Sequence, residues 1–359
     1  QDQEAGPQKL FDQKLLDRWC RVIAEGNWEI LEKRLRWQGW DLGRVQSYTT
    51  ATQPGQQCST PDWLATLRQI METAAVMVQE QSISTFAPES CLSPEHPTPF
   101  AEVFLPCLQV ARQQLLQQVA ATMPPEDESP LTLLSNQAYL NLERALLSDL
   151  VNLWIRPLTQ EFNLVRPFNQ NSLSSSILPV QASSRVYYQQ FINQVLEYGF
   201  ADWFQKYPVL GRLTAILINF WLNSTLNFLR HLQTDLAEIQ ATFVTDSLAD
   251  RPSTNLGQVI EIQPCLSDRH EQGKTVIALT FASGLKLIYK PKNLDLDLAY
   301  YQFLTWCNQQ GFSPLFKILK VLSRNDHGWV EYVEHFPCED EVAAQRFYQR
   351  AGMLLCTIY

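Results

Sequence analysis

Apolar spacing changes character once along this chain, near "DRPSTNLG" at 250–257, and that change limits the fold more than any other feature. Upstream, apolar residues recur at the three- and four-residue intervals of amphipathic helices; downstream, they alternate in short β-branched and aromatic runs. The expected fold class is therefore α+β, a large helical region over 1–249 followed by a smaller sheet-bearing region over 250–359.

In the helical region, "KLFDQKLLDRWCRVIAE" places Leu10, Leu15, Trp19, Val22 and Ile23 near one face, and "NWEILEKRLRWQGW" offers Ile30, Leu31 and Leu35. A third helix is expected from Thr60 as N-cap and Pro61 as first helical residue. Pro106 and Pro157 should kink or divide their helices, and the Ser- and Asn-rich stretch 169–184 reads as a loop. Two long helical patterns follow, over 185–206 and 208–244, whose aromatic stripe (Trp203, Phe204, Phe220, Trp221, Phe228) is expected in the core.

Strands are expected in "QVIEIQPCL", "TVIALTF", "LKLIYK", "LFKILKVL" and "WVEYVEH", with turns at Ala282-Ser283-Gly284 and at "SRNDHG". Between the hairpins, Leu296, Tyr300, Phe303 and Cys307 mark the apolar face of a helix that Gly311 terminates.

Composition narrows the function classes. The net charge is −9 and no basic run appears, which argues against nucleic acid as a partner. The apolar stretch "LTAILINFWL" is about half the length of a membrane span, so none is expected. No secretory signal precedes the first helix, and the eight cysteines form no CxxC pair; free thiols in the cytoplasm are the expectation. The chain starts on Gln and stops at "AGMLLCTIY", where Met353, Leu354 and Ile358 are spaced to face a core, as expected of a piece of a longer protein.

The strand "LKLIYK" puts Lys286, Ile288 and Lys290 on one side and Leu285, Leu287 and Tyr289 on the other, and Pro291 ends its pairing. Taken alone, Lys290 reads as an ordinary solvated strand end. Its place in the order hairpin, helix, hairpin, connector is that of the phosphate-binding lysine in a kinase amino-terminal lobe. The preceding loop carries Asp268 and His270, which suit either a proton shuttle or an Asx turn. Gly273-Lys274 suits a flexible loop over phosphates without being a Walker motif.

"LSDRHEQGKTVIALTFASGLKLIYKPKNLDLDLAYYQFLTW" and "HGWVEYVEHFPCEDEVAAQRFYQRAGMLL" closely resemble the dehydratase domain of the type 2 lanthipeptide synthetases, the LanM family. The similarity reaches upstream through "PDWLATL", "PFAEVFLPCL", "ERALLSDLVNLW" and "YPVLGRLTAILINFWLNST". It implies a lipid-kinase-like fold with added helices. It also implies ATP- and Mg²⁺-dependent phosphorylation of Ser and Thr in a ribosomal precursor peptide. Phosphate elimination then leaves dehydroalanine or dehydrobutyrine, and a separate zinc domain forms the thioether rings.

Carried over by position, Lys290 would bind nucleotide phosphate, and Asp268 and His270 would act around phosphate or proton transfer. Glu334 and His335 would fall in the hinge beside the nucleotide, with Gly273 in the covering loop.

Three departures stand out. Arg269 stands where a small or turn-forming residue is expected, and no acidic residue lies between Asp297 and Asp326 to supply the usual helix-borne partner of Lys290. The catalytic loop, the metal-binding Asp and the zinc domain are expected beyond Tyr359. The chain is accordingly expected to carry the nucleotide lobe without completing catalysis alone. The alternatives are a non-catalytic helical peptide-binding remnant or split subunit, and a small-molecule phosphotransferase.

Overall fold

The computed structural model describes residues 7–45, 61–79, 98–122, 129–165, 180–197, 199–244 and 255–358. The chain divides into two units, Gln1–Pro61 and Asp62–Tyr359.

In the first unit, α1 (Pro7–Ala24) turns through Glu25 and Gly26 into α2 (Trp28–Trp37). Asn27 caps α2, its side-chain oxygen accepting from the backbone N–H groups of Glu29 and Ile30 at 3.0 and 3.2 Å. Leu16, Cys20 and Ala24 pack with Leu31 and Leu35, whereas Trp19, Val22 and Ile30 are exposed. Leu31 and Leu35 are thus buried as expected, whereas the buried stripe of α1 is rotated from Trp19 and Val22; the side chains of Leu10 and Leu15 lie outside the described residues. A four-residue repeat of small and medium side chains lies flatter against a neighbouring helix than a row containing Trp.

The second unit opens with the described helices α3 (Asp62–Gln79), α4 (Leu105–Thr122), α5 (Asn136–Val165), α6 (Val180–Glu197), α7 (Gly199–Lys206) and α8 (Pro208–Phe243). A 3₁₀ turn over Ala101–Phe104 precedes α4, so Pro106 sits in the first helical turn, where its missing N–H costs nothing. Pro157 does not divide its helix: it lies within the 30 residues of α5, flanked by buried Trp154 and Leu158, whose packing holds the helix together. The expected loop at 169–184 ends earlier, because 180–184 belong to α6; residues 166–179, and Thr60, lie outside the described residues.

With 36 residues, α8 is long and apolar enough to cross a bilayer by length and composition, more than its ten-residue apolar core indicated. In this structure it is the spine of the core, with Ile218, Phe228, Leu229, Leu232 and Ile239 inaccessible to solvent. Trp221 donates to the Leu142 carbonyl at 3.0 Å and Trp154 to the Thr214 hydroxyl at 2.7 Å, locking α5 to α8. Of the expected aromatic core, Phe220 alone turns outward into a groove wall while Trp203 packs at the core margin.

Five strands make one antiparallel sheet: β1 (Val259–Gln263), β2 (Ile277–Phe281), β3 (Lys286–Lys290), β4 (Val321–Ser323) and β5 (Gly328–Glu331). Their order is β1-β2-β3-β5-β4, so the later strand of the second hairpin joins the first hairpin. The inner face presents Ile277, Leu279, Phe281, Leu287, Tyr289 and Trp329 to the core shared with the helices. The open edge of β1 is covered by α5: Ser135 N–H donates to the Val259 carbonyl at 2.9 Å and Asn141 to that of Ile262 at 3.0 Å.

Three expectations shift here. The strand expected in "LFKILKVL" shrinks to β4, because Asn308 takes both the N–H and the carbonyl of Phe316 at 2.8 and 2.9 Å. Helix α9 (Asp295–Gln309) buries Leu304 and Cys307 and packs on β4, leaving Leu296 and Phe303 exposed. The last helix, α10 (Glu341–Cys356), buries no residue, and Leu354 and Ile358 are exposed where a core-facing stripe was expected.

Candidate functional site

The strand alternation expected around Lys290 holds: Leu287 and Tyr289 are buried, while Lys286, Ile288 and Lys290 face the other way. Lys290 is the last residue of β3 and stands opposite Gly328. A Cβ on Gly328 would meet Leu294 Cδ1 at 2.5 Å and the Leu322 carbonyl at 2.8 Å, so only glycine lets the strands close there. The Lys290 ammonium meets Asp297 Oδ1 at 3.3 Å, and Lys292 approaches the other carboxylate oxygen at 3.6 Å. Asp297 lies in the first turn of α9, where the helix dipole favours a negative charge. The partner absent from the middle of the helix is thus supplied from its start.

Asp268, His270 and Gly273 sit in the β1–β2 connection, which leaves the sheet at the same end as Lys290 because Ile277 pairs with Tyr289. They nevertheless look elsewhere. His270 and Lys274 exchange backbone hydrogen bonds of 3.0 and 2.8 Å, closing a tight turn whose three residues all have positive φ. Gly273 is buried, and a Cβ there would come within 2.9 Å of Phe220 Cβ, so the turn is clamped on α8 and is no loose flap. Arg269 pairs with Asp149 of α5, which is the role of the unexpected arginine. Burial raises the Asp149 carboxyl above its usual range, with Arg269 opposing that shift. Asp268 is exposed, and His270 lines a groove with Arg269 and Phe220 that Lys290 does not border. Glu334 follows β5 and pairs with Lys286 at 2.8 Å, at the opposite end of β3 from Lys290; His335 is exposed.

A cluster not anticipated from the sequence lies on the inner face of the sheet. Asp235 of α8, buried to 2% exposure, accepts from Trp329 Nε1 and His327 Nε2 at 2.8 Å each and from Arg324 Nε at 3.0 Å. Burial alone would raise its carboxyl, but these three donors outweigh that and hold it below the usual range. The other nitrogen of His327 meets Asp326 at 2.8 Å, so a carboxylate faces each side of the ring. His231 stacks on His327 with centroids 3.5 Å apart and rings 3° from parallel, and its Nδ1 lies 2.9 Å from the Tyr289 hydroxyl. Burial, then the neighbouring His327, depress His231 to about 4. A cavity of about 50 Å³, room for a water or two, borders His231, Tyr289, Lys274 and Asp326.

The ligand atoms of His231, Asp326 and His327 lie within 4.8 Å of one another, close enough for a shared cation. The parallel stack, however, sends the in-plane lone pairs side by side, whereas a metal needs them to converge. Both nitrogens of His327 are also taken already. The arrangement is chemically a clamp that fastens the β4–β5 turn to α8. Its signal in the sequence was Asp235, an acid in phase with the core positions Leu232 and Ile239 of α8.

Residues 207–359 match a family model described as a domain of unknown function, DUF4135. The chain is also 29% identical over 182 residues to the Lacticin 481/lactococcin biosynthesis protein LcnDR2 of Lactococcus lactis subsp. lactis. That match covers 48% of this chain and 18% of the relative, so the chain spans only a minor part of that protein's length. The β3–β5 sheet, the Asp235 clamp and the 270–274 turn all lie inside the family-matched segment. Together with the sequence resemblance, these matches make the chain a relative of the type 2 lanthipeptide synthetases.

Proposed function

We propose that this chain provides the nucleotide-binding sheet and the flanking helices of a dehydratase that modifies Ser and Thr of a ribosomal precursor peptide at the expense of Mg²⁺-ATP. The observation supporting this most directly is Lys290, placed on a rigid strand end and oriented by Asp297. Its side chain is 28% exposed, so the ammonium is held yet reachable, and Lys292 adds a second positive charge against one carboxylate. That donor set fits phosphate oxygens.

Bound there, ATP would supply the phosphoryl group that turns a poor hydroxyl leaving group into a good one. Lys290 then serves to neutralise phosphate charge, and Asp297 keeps it in place. Asp268 and His270 are assigned to phosphate or proton handling from the adjoining loop. Glu334 and His335 follow β5, and Glu334 is held by Lys286 at the other end of β3, so the nucleotide reading rests on Lys290 and Asp297, with Gly273 setting the adjoining turn. The name of the Lactococcus relative, a lantibiotic biosynthesis protein, supports a peptide substrate. The cytoplasm, where ATP is available, is the proposed compartment.

Photolabelling of the chain with 8-azido-ATP in the presence of Mg²⁺ tests the reading. Lys290→Ala should cut labelling by about tenfold or more, and Asp297→Ala by less, because the ammonium survives without its guide. Undiminished labelling of Lys290→Ala would refute it.

A further inference from the structure

Two grooves meet at the tip of the 270–274 turn. One, about 590 Å³, lies among α3, α4 and α8; the other, about 490 Å³, runs between α5, α8 and the turn. Ile216, Phe220 and Gln272 line both, so the two form one trough. Its halves differ in chemistry. The larger half is walled by the amides of Gln69, Gln114, Gln117, Gln118, Asn219 and Asn223, and Asp62 is its one ionised lining residue. The smaller half is apolar on one side, with Leu153, Leu213 and Leu217, and ends at Arg269 and His270.

Among the described residues no lysine or arginine lines the larger half, and Arg212 beside it stacks on Trp63, so a phosphate or nucleic acid would find little counter-charge there. Side-chain amides each carry an acceptor oxygen and two donor hydrogens, the complement of a peptide bond. Gln114 Nε2 donates to Gln69 at 2.6 Å, and Thr66 donates to Asn219 at 2.7 Å, a polar seam that joins the three helices under the groove. The seam leaves Gln114 Oε1 shielded from solvent without a hydrogen-bond partner, so the amides that an occupant meets directly are those along the groove edge.

We propose that this trough is the docking path of an extended, uncharged stretch of polypeptide, gripped by its main chain in the amide half and led to His270 by the apolar half. This deepens the proposed function, and rests on it only for taking the peptide to be the substrate.

Fluorescence anisotropy of the 359-residue chain tests it, with a fluorescein-labelled synthetic dodecapeptide of Gly, Ser, Thr and Leu as probe. Main-chain recognition predicts that a scrambled sequence binds within about threefold, and that N-methylation at alternate residues weakens binding by about tenfold or more. The double variant Gln118→Leu/Asn223→Leu changes two exposed groove-edge amides and should weaken the unmethylated probe by about tenfold. No binding of that probe, equal binding of the methylated one, or an unaffected double variant would each overturn the proposal. Peptide binding without nucleotide labelling would sink the nucleotide reading alone, and labelling without peptide binding would sink the trough alone.

Discussion

Asp235→Asn is the most informative single perturbation of this structure. The carboxylate has two working faces: Oδ2 takes Trp329 and His327, and Oδ1 takes Arg324. An asparagine offers one acceptor and one donor, so it must turn its oxygen toward one face and its NH₂ toward the other. Turning the oxygen to Arg324 strands two buried donors. Turning it to Trp329 and His327 strands only Arg324, which keeps Glu238 at 2.7 Å. The second orientation therefore wins. It loses one charge-assisted hydrogen bond and weakens another, each worth about 1.5–3 kcal/mol, for a total of about 2–4 kcal/mol. For a unit of this size that lowers Tm by about 3–6 °C.

Differential scanning calorimetry measures the loss, and tryptophan fluorescence should follow the same transition because Trp329 is fully buried beside the site. Asp326→Asn is the control. Asp326 also meets His327, but its side chain is 69% exposed, and water screens that pair to about 1 kcal/mol or less. An Asp235→Asn protein melting within about 1 °C of the parent, or an equal cost for Asp326→Asn, would refute the clamp.

Three other outcomes follow from the same structure. His231 sits at about 4 in the fold against an ordinary 6.5, so the unfolded chain binds the extra proton between those values. Stability is therefore fully present above 6.5 and declines toward 4, by about 1–2 kcal/mol after allowing for partial exposure; urea midpoints across that range should show it, and His231→Phe should flatten it. Gly328→Ala forces a Cβ against Leu294 and an immovable carbonyl and should cost about 1–3 kcal/mol in denaturant titration. A thiol reagent should label Cys265, Cys338 and Cys356 well before the buried Cys20, Cys107 and Cys307, as peptide mapping by mass spectrometry would show.

Local rules carried far in this chain. Period and turn chemistry located β2 and β3, the alternation that turns Tyr289 inward and Lys290 outward, and the glycine stop of α9. Each depends on residues only a few positions apart, which is why spacing reveals it. Helix faces were less legible. The wide apolar surfaces of α1 and α9 admit more than one buried stripe, and the neighbour's shape selects between them.

What the amino-acid order determined by itself is the switch from helix to sheet and the strand that bears Lys290. What only the tertiary structure decided is who meets whom. Asp297 reaches Lys290 from the next helix, Arg269 reaches Asp149 across 120 positions, and Asp235 gathers His327 and Trp329 from 92 and 94 positions away. Spacing encodes which way a side chain faces on its own element. The partner opposite depends on strand order and helix packing, which arise from burying the whole apolar surface at once.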